Sequence, residues 1–362
     1  MLLSVVWYSL AMFIIFYLLS VVCDRYFVWS LEIISKKLNL SDDVAWATFM
    51  AVGTSAPEFF TAVMAVIMVN SDVGAGTIIW SAIFNILVIV WGSALVKSAT
   101  LKPQAMRRDA IIYFISVLIL YFTFQDGQIS LTDTFWYIGL YIVYVIILAK
   151  RNKIVPQPAP LHHEPVSADI KEEEIIMEKK LWFVGKCMQG IDSLFDLVYP
   201  NLSKNPRLYT VTFALSILFI IILSKFLVDS GVGLATVLGI PPVIIALTIL
   251  AWGTSIPDLL ASLIVAKKWQ ADMAVANAVG SNIFDILICL GLPWMVAIAW
   301  TGKPIVVGTE GLNESILIIL GIMVVMCFYM IANKYRINKT YGILLIGMYL
   351  AYLAYQVYLA VV

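Results

Sequence analysis

The chain consists mainly of long apolar segments separated by short polar connections. A helix needs about 20 mostly apolar residues to cross the roughly 30 Å hydrocarbon core of a bilayer. A search for such runs finds ten segments, of which the fourth and fifth are short. The pattern predicts an all-α integral membrane protein with about ten transmembrane helices. The segments lie near 2–22, 44–69, 73–96, 110–125, 134–149, 208–228, 240–266, 273–300, 314–332 and 341–362.

Two stretches of the chain repeat one another. "TFMAVGTSAPEFFTAVMAV" at 48–66 is similar to "TILAWGTSIPDLLASLIVA" at 248–266, and "SAIFNIL" at 81–87 to "SNIFDIL" at 281–287. One offset of 200 residues relates all of them, which indicates an internal duplication. Five spans per copy is an odd number, so the second copy would cross the membrane in the opposite direction. We therefore predict two inverted-topology five-helix repeats, an architecture typical of secondary transporters.

A duplication that serves stability alone is the alternative, but the most similar segments are the ones that carry polar residues. Between the copies lies the one long hydrophilic segment, which we interpret as a linker. Its later part mixes apolar and charged residues at helical spacing, so an interfacial helix is expected there. The chain is thus divided into a first repeat at 1–150 with its motif at 48–87, a linker at 151–206, and a second repeat at 207–362 with its motif at 248–287.

Basic residues indicate the orientation in the membrane. They cluster in the connections that follow the odd-numbered segments, and the positive-inside rule assigns those connections to the cytoplasm. Both termini are then expected outside and the 151–206 linker in the cytoplasm, with the protein in the plasma membrane or the cell inner membrane. The basic residues concerned are Arg25, Lys36, Lys37, Lys102, Arg107, Arg108, Lys150, Arg151, Lys153, Lys267, Lys268, Lys334, Arg336 and Lys339.

Composition agrees with a membrane protein and excludes some partners. Hydrophobic residues make up 62% and charged residues 13% of the chain, whereas soluble domains have roughly 45–50% and about 25%. Lys plus Arg and Asp plus Glu both number 23, so no overall charge favours nucleic acid. The four cysteines have neither metal-site spacing nor the arrangement of a disulfide framework, and we interpret them as packing residues.

Each motif places a proline directly before an acid, at Pro57–Glu58 and at Pro257–Asp258. A proline inside a helix has no N–H and leaves the carbonyl four residues earlier without its helical partner. In hydrocarbon such a carbonyl is tolerated where a cavity, water or a cation satisfies it. We therefore expect both motif helices to break at these prolines and to supply oxygen ligands.

Hydroxyl and amide groups accompany the acids at helical spacing. All of these groups are hard oxygen donors, with no His or Cys among them, which suits Ca²⁺ and alkali cations. Three carboxylates would leave one negative charge after a divalent cation binds, and a monovalent cation or a proton would balance it. The side chains are Thr54, Ser55 and Glu58 with Ser81 and Asn85 in the first copy, and Thr254, Ser255 and Asp258 with Ser281 and Asp285 in the second.

At these residues the sequence resembles the cation/calcium exchanger superfamily and, within it, the potassium-dependent sodium/calcium exchangers. "GTSAPE" with "TIIWSAIFN" is similar to the family's first repeat, and "GTSIPDLLASLIVA", "DMAV" and "GSNIFDI" to its second. Aspartate at both 258 and 285 is the pattern of the potassium-dependent group. Where that family has a glycine before the first-repeat serine, this chain has Trp80. The linker is too short for the regulatory domains of some superfamily members.

The resemblance implies an antiporter that exchanges Na⁺ for Ca²⁺ plus K⁺, by alternating access at a midplane carboxylate site. Its first and sixth spans would slide across the others. The three ions would be substrates, and the resemblance implies no cofactor, no enzyme activity and no nucleic-acid partner; the oligomeric state is left open. The implied ligands are Glu58, Asp258, Asp285, Asn85, Ser55, Ser255, Thr54, Thr254, Ser81 and Ser281, with the backbones of Ala51 and Ala251.

Other functions fit parts of the pattern. Within the same fold, K⁺-independent Na⁺/Ca²⁺ exchange and Ca²⁺/H⁺ exchange are the alternatives. An intramembrane aspartyl protease would also place two acids in separate spans, but its Gly-x-Gly-Asp motif is missing. A passive cation channel fits less well, because inverted repeats with broken helices suit alternating access.

Overall fold

The architecture was obtained as a computed structural model. It describes residues 2–37, 53, 55–68, 71–96, 98–152, 195, 197–200, 208–240, 245, 249–267, 271–308 and 311–361. Most of the predicted linker lies outside these residues, as do the first part of the predicted second span, Thr54 and Ala51.

In the first half, two long rods are each built from two α-helices joined by a short π-helical segment. The first rod joins α1 (Leu2–Val22), π1 (Cys23–Phe27) and α2 (Val28–Lys37). After α3 (Ala56–Met68) the next rod joins α4 (Ser71–Phe84), π2 (Asn85–Ile89) and α5 (Val90–Val96). The half continues with β1 (Ala99–Thr100), α6 (Pro103–Thr123), β2 (Gln128–Ile129) and α7 (Leu131–Asn152).

The second half has the same order of elements. It begins with α8 (Tyr209–Leu238), followed by α9 (Ala251–Lys267). The next rod joins α10 (Ala271–Phe284), π3 (Asp285–Leu290) and α11 (Gly291–Thr301). The chain then forms β3 (Ile305–Val306), α12 (Leu312–Ala332), β4 (Arg336–Ile337) and α13 (Lys339–Val361).

Local residues account for several helix ends. Pro103 occupies the first turn of α6, where its missing N–H has no helical acceptor to lose. Gly239 ends α8 and Gly302 ends α11, each with a positive φ that glycine adopts without steric cost.

The long apolar helices agree with a membrane-spanning chain. Among the described residues, six helices are long and apolar enough to cross a bilayer. A further apolar helix at Ala56–Ile67 is shorter. The ten-span layout and its inversion stay predictions. The six are Leu3–Leu31, Asp72–Val96, Leu131–Leu148, Tyr209–Leu238, Ala274–Thr301 and Leu312–Ala332.

The first segment is longer than predicted. We expected the helix to end near residue 22 and a loop to follow, but helical structure continues through Lys37. The π-helical turn Cys23–Phe27 contains two consecutive charged residues, Asp24 and Arg25, and mainly apolar residues follow it. A π-helical turn inserts one extra residue into a helix without ending it, so a local charged pair does not mark a boundary here.

Two short antiparallel ladders join connections from opposite halves. Strand β1 pairs with β4, and β2 pairs with β3. Each pairing places two connections on the same side of the bundle. The positive-inside assignment puts the first pair of connections in the cytoplasm and the second pair outside, so the pairings agree with that grouping, while the absolute orientation stays a prediction.

The apolar core falls into two clusters. The larger one is formed by α4 to α7 and α10 to α13. The smaller one gathers α1, π1 and α2 with α8 and one face of α3. Helix α1 packs along α8 over much of its length. The rod containing α1 and helix α8 therefore share an apolar core.

Glycines allow α1 to lie close to its neighbours. A Cβ on Gly233 of α8 would lie 2.6 Å from the Tyr8 ring of α1. A Cβ on Gly253 of α9 would overlap the ring of Phe16, also on α1. The contact between α1 and the second motif helix therefore depends on the absence of a side chain at position 253.

We expect Gly253→Ala to destabilise the protein by about 1–3 kcal/mol, because the added methyl group forces Phe16 or the helix to shift. Thermal unfolding in detergent would show a lower midpoint temperature. Gly347→Ala on α13 is the matched control, since nothing lies within 4 Å of a Cβ there. Equal midpoints for the two variants would contradict the close contact.

Candidate cation-binding site

Four helical segments bring the polar residues of the two motifs together. Helix α3 contacts π3 of the other half, and α9 contacts α4 of the other half. The polar side chains between them are buried although they carry charges and hydroxyl groups. The buried set comprises Ser55, Glu58, Ser81, Asn85, Thr254, Ser255, Asp258, Ser281 and Asp285.

Four serines form two hydrogen-bonded pairs across the halves. The Oγ atoms of Ser55 and Ser281 are 2.9 Å apart, and those of Ser81 and Ser255 are 2.8 Å apart. Each pair is the other one shifted by the 200-residue offset of the repeats. Both copies therefore contribute to the site. The serine of each motif pairs with a serine on the helix that follows the motif in the opposite copy, and we call these the exchanged serine pairs.

The carboxylates lie beside these serine pairs. Ser255 donates to Glu58 Oε1 at 3.3 Å, and Ser281 donates to Asp258 Oδ2 at 3.3 Å. Within the described part of the chain, Glu58 Oε2 and Asp285 Oδ2 have no hydrogen-bond partner. A buried oxygen without a partner costs about 1–3 kcal/mol, and a charged one costs more. These two oxygens are therefore available to a cation.

Asn282 is a further residue of the site, which the sequence analysis missed. Its Oδ1 accepts a 2.9 Å hydrogen bond from Asn85 Nδ2. Its Nδ2 donates to the backbone oxygen of Ala82 at 3.0 Å and to Tyr113 Oη at 3.1 Å. Because the Asn85 amide nitrogen is engaged, its oxygen is left for another partner, and none of the described residues supplies one.

A signal for Asn282 was present in the sequence. Its counterpart under the 200-residue offset is Ala82, the same residue whose carbonyl it contacts. A polar residue that appears in one of two duplicated motifs, with an alanine in the other, marks a place where the copies differ in chemistry. The candidate side chains predicted from the sequence are all polar in both copies, so position 282 is not among them.

Both π-helical segments of the site begin at candidate ligands. Segment π2 starts at Asn85 and π3 at Asp285, which are equivalent positions. The N–H of Val90 donates to the Asn85 carbonyl, the i+5 bond of a π-helix. Such turns widen a helix locally and are frequent at functional sites.

The prolines behave differently from our expectation of two breaks. Pro57 lies in the first turn of α3, whereas Pro257 lies inside α9, which runs from Ala251 to Lys267 without interruption. The predicted break in the second motif is therefore absent. Proline still supplies no N–H to the carbonyl of Gly253, so the expected missing hydrogen bond remains although the helix does not end there.

The remaining predicted ligands are placed as follows. Thr254 is buried, and its Oγ1 donates to the Ala251 carbonyl at 3.2 Å. That bond occupies the hydroxyl proton and leaves oxygen lone pairs on both groups. Thr54 and Ala51, predicted for the first copy, lie outside the described residues.

Trp80 packs away from the serine pair that follows it. Its ring is buried against Tyr352 and Tyr349 of α13, at centroid distances of 4.8 and 5.9 Å. Ser81 still forms its hydrogen bond with Ser255. The side chain that departs from the family's glycine therefore fills a gap toward α13 and leaves this contact intact.

The donor set has a defined chemical preference. Among the described residues, no group of three His, Cys, Asp or Glu side chains lies close enough together to bind one metal ion. A cation here would be held by individual carboxylate oxygens together with serine, amide and carbonyl oxygens. Hard, mainly neutral oxygen ligands of this kind suit Ca²⁺ and alkali cations.

Comparison with known families gives one match over most of the chain. The family model described as "Sodium/calcium exchanger protein" matches residues 8–150 and 208–358. Sodium/potassium/calcium exchanger 5 of Homo sapiens is 30% identical over 419 residues, covering 96% of this chain and 82% of its own length. Sodium/potassium/calcium exchanger 4 of Mus musculus is 27% identical, covering 94% and 79%.

Two solved structures share the fold. The sodium-calcium exchanger NCX_Mj superposes with a TM-score of 0.57 at 22% identity, over 98% of this chain and 99% of that one. The H⁺/Ca²⁺ exchanger CAX superposes with a TM-score of 0.68 at 12% identity, over 98% and 81%. At these identities the likeness supports the fold alone.

We expect Asn282→Ala to lower the free energy of unfolding by about 1–3 kcal/mol, because the buried Asn85 amide loses its acceptor. Thermal unfolding in detergent measures the change. Asn277→Ala, on the same helix but half-buried, is the control and should shift stability by no more than about 0.5 kcal/mol. Similar losses in both variants would mean that the Asn282 network contributes nothing specific.

Proposed function

Because the chain belongs to the sodium/calcium exchanger family, we propose that it is a potassium-dependent Na⁺/Ca²⁺ antiporter, exchanging Na⁺ for Ca²⁺ plus K⁺ at the site described above. Family membership makes the chain an integral membrane cation/Ca²⁺ antiporter and a transporter, not an enzyme. The K⁺ requirement rests on Asp285 and on relatives named sodium/potassium/calcium exchangers.

One observation carries the proposal: buried oxygen atoms converge from both copies without hydrogen-bond partners. Glu58 Oε2, Asn85 Oδ1 and Asp285 Oδ2 are three such atoms among the described residues. Buried polar atoms in proteins are normally paired, so unpaired oxygens that recur at one site point to a missing cationic partner. The serine hydroxyls beside them supply further oxygens.

Charge balance determines which ions fit. Three carboxylates buried together repel one another and are costly to ionise in a membrane interior. Ca²⁺ neutralises two of them, and K⁺ neutralises the third. Na⁺ ions neutralise the same carboxylates when Ca²⁺ and K⁺ are absent. A neutral, ion-loaded site costs less to expose to the membrane interior during the conformational change than an empty, charged site. Binding of either set of ions therefore permits the switch between inward-facing and outward-facing states.

A charge difference between the two copies supports a separate binding position for K⁺. Asp285 of the second copy corresponds to the neutral Asn85 of the first. The additional charge is therefore located at one end of an otherwise duplicated site. We assign Asp285 to K⁺, and Glu58 with Asp258 to Ca²⁺ or Na⁺.

Alternating access requires two groups of helices that move relative to each other. We propose that residues 1–150 and 207–362 are inverted repeats joined by the 151–206 linker, with both termini outside. Exchanged serine pairs and ladders between the halves support this symmetry. The rod containing α1 and helix α8 would be the moving group, because they share the smaller apolar cluster.

The decisive test measures Ca²⁺ uptake into proteoliposomes that contain the purified full chain. Internal Na⁺ or choline is combined with external K⁺ or choline. We expect rapid uptake only with Na⁺ inside and K⁺ outside, because both ion sets are needed to neutralise the site in turn. Glu58→Gln should lower this uptake at least about 10-fold, since a charged Ca²⁺ ligand is lost.

Each of the other possible results would indicate a different transport mechanism. Uptake that needs Na⁺ but not K⁺ would contradict the K⁺ assignment, and uptake driven by a proton gradient would indicate H⁺/Ca²⁺ exchange. Flux without any counter-ion would indicate a channel. Glu314→Gln makes the same chemical change at an exposed position of α12 and should retain uptake.

Asp285→Asn makes the second copy match the first at this position. We expect Na⁺-driven Ca²⁺ uptake to persist and its stimulation by K⁺ to disappear, because the charge that K⁺ balances is gone. A K⁺ titration of the initial uptake rate measures this. Asp126→Asn, in an exposed connection, is the control and should keep the full K⁺ response. An unchanged K⁺ response in Asp285→Asn would disprove the assignment.

A further inference from the structure

A buried thiol lies beside the candidate K⁺ ligand. Cys289 is fully buried in π3, and its Sγ donates to Asp285 Oδ1 at a distance of 3.6 Å. The equivalent residue of the first copy is Ile89, so only one end of the duplicated site has sulfur. Hard ions such as Ca²⁺, Na⁺ and K⁺ do not use sulfur ligands, and the proposed antiport therefore leaves this thiol without a role.

The carboxylate next to the thiol has coordination capacity to spare. Asp285 is completely buried, and its Oδ1 accepts the weak S–H donor. The Ser55 and Ser281 hydroxyls also interact with this carboxylate, but its Oδ2 has no hydrogen-bond partner within 3.5 Å among the described residues. A thiolate and a carboxylate at this separation can both bind one metal ion.

The distance between the two ligand atoms fits a specific class of metal. Zinc binds sulfur at about 2.3 Å and carboxylate oxygen at about 2.1 Å, and a tetrahedral angle then separates the two ligand atoms by about 3.6 Å. The observed separation is 3.6 Å. A zinc ion would thus replace the thiol proton with little movement of either side chain.

We infer that Cys289 and Asp285 form a binding site for thiophilic divalent cations, Zn²⁺ and Cd²⁺, which blocks the transport of Ca²⁺. Binding breaks the S–H bond, forms a metal–sulfur bond and releases the proton to water that accompanies the cation. Water completes the coordination. The inference uses the proposed function only for the transport readout, because a metal held at Asp285 denies that carboxylate to K⁺.

The first experiment tests binding without transport. Two full-length variants are compared in detergent: one retains Cys289 as its only cysteine, with Cys23, Cys187 and Cys327 replaced by serine, and the other has all four replaced. Cd²⁺ is added and the charge-transfer absorption of a cadmium thiolate is recorded. We expect this absorption in the first variant only. Its absence there would overturn the inference whatever the protein transports.

The second experiment measures the Zn²⁺ concentration that halves Na⁺-driven Ca²⁺ uptake in proteoliposomes, relative to each variant's own uninhibited rate. We expect Cys289→Ser to need at least about 10-fold more Zn²⁺, since a metal ligand is lost. Cys327→Ser, on α12, should show wild-type sensitivity. Cys289→Ala repeats the test if the serine variant folds poorly. Equal sensitivity in the Cys289 variants and wild type would refute the inhibitory role.

Discussion

A carboxylate buried among apolar side chains loses its hydration, and hydrogen bonds or cations must replace it. Glu58 and Asp285 are completely buried, and none of the described Lys or Arg side chains forms an ion pair with either of them. Their side-chain hydrogen-bond donors are neutral: Ser255 donates to Glu58 at 3.3 Å and the Cys289 thiol to Asp285 at 3.6 Å, with the Ser55 and Ser281 hydroxyls beside Asp285. In the function we propose, mobile cations supply this counter-charge, and the serine pairs around the acids supply further oxygen atoms.

The duplication accounts for the symmetric arrangement of the serine pairs. The positions at which the two copies differ account for the distinct ligands on each side of the site. The paired serines obey the 200-residue offset, so both copies contribute equally to the centre of the site. Asp285 opposite Asn85 adds a charge on one side. Asn282 opposite Ala82 adds an amide that orients Asn85. A fully symmetric site would offer two equal positions, whereas these substitutions make the positions chemically distinct.

Much of the fold was accessible from the sequence, because long apolar runs in a membrane protein leave helix as the structure that satisfies their backbone. The repeat also identified most of the polar side chains that line the candidate site. The extension of the first helix to Lys37 was not predicted, because the charged residues Asp24 and Arg25 indicated a loop. They lie instead in a π-helical turn that continues the helix. Asn282 was missed, since its contacts depend on the distance between two helices. The continuous helix at Pro257 shows that proline removes a hydrogen bond without necessarily ending the helix.

The exchanged serine pairs also have a consequence for biosynthesis. The partner of Ser81 is 174 residues further along the chain, and the partner of Ser55 is 226 residues further. While the first half enters the bilayer, its hydroxyls, Glu58 and Asn85 have none of these partners. These groups therefore acquire their partners only after the second motif, including Asn282, has been synthesised. Assembly of this site is necessarily a late event in the folding of the chain.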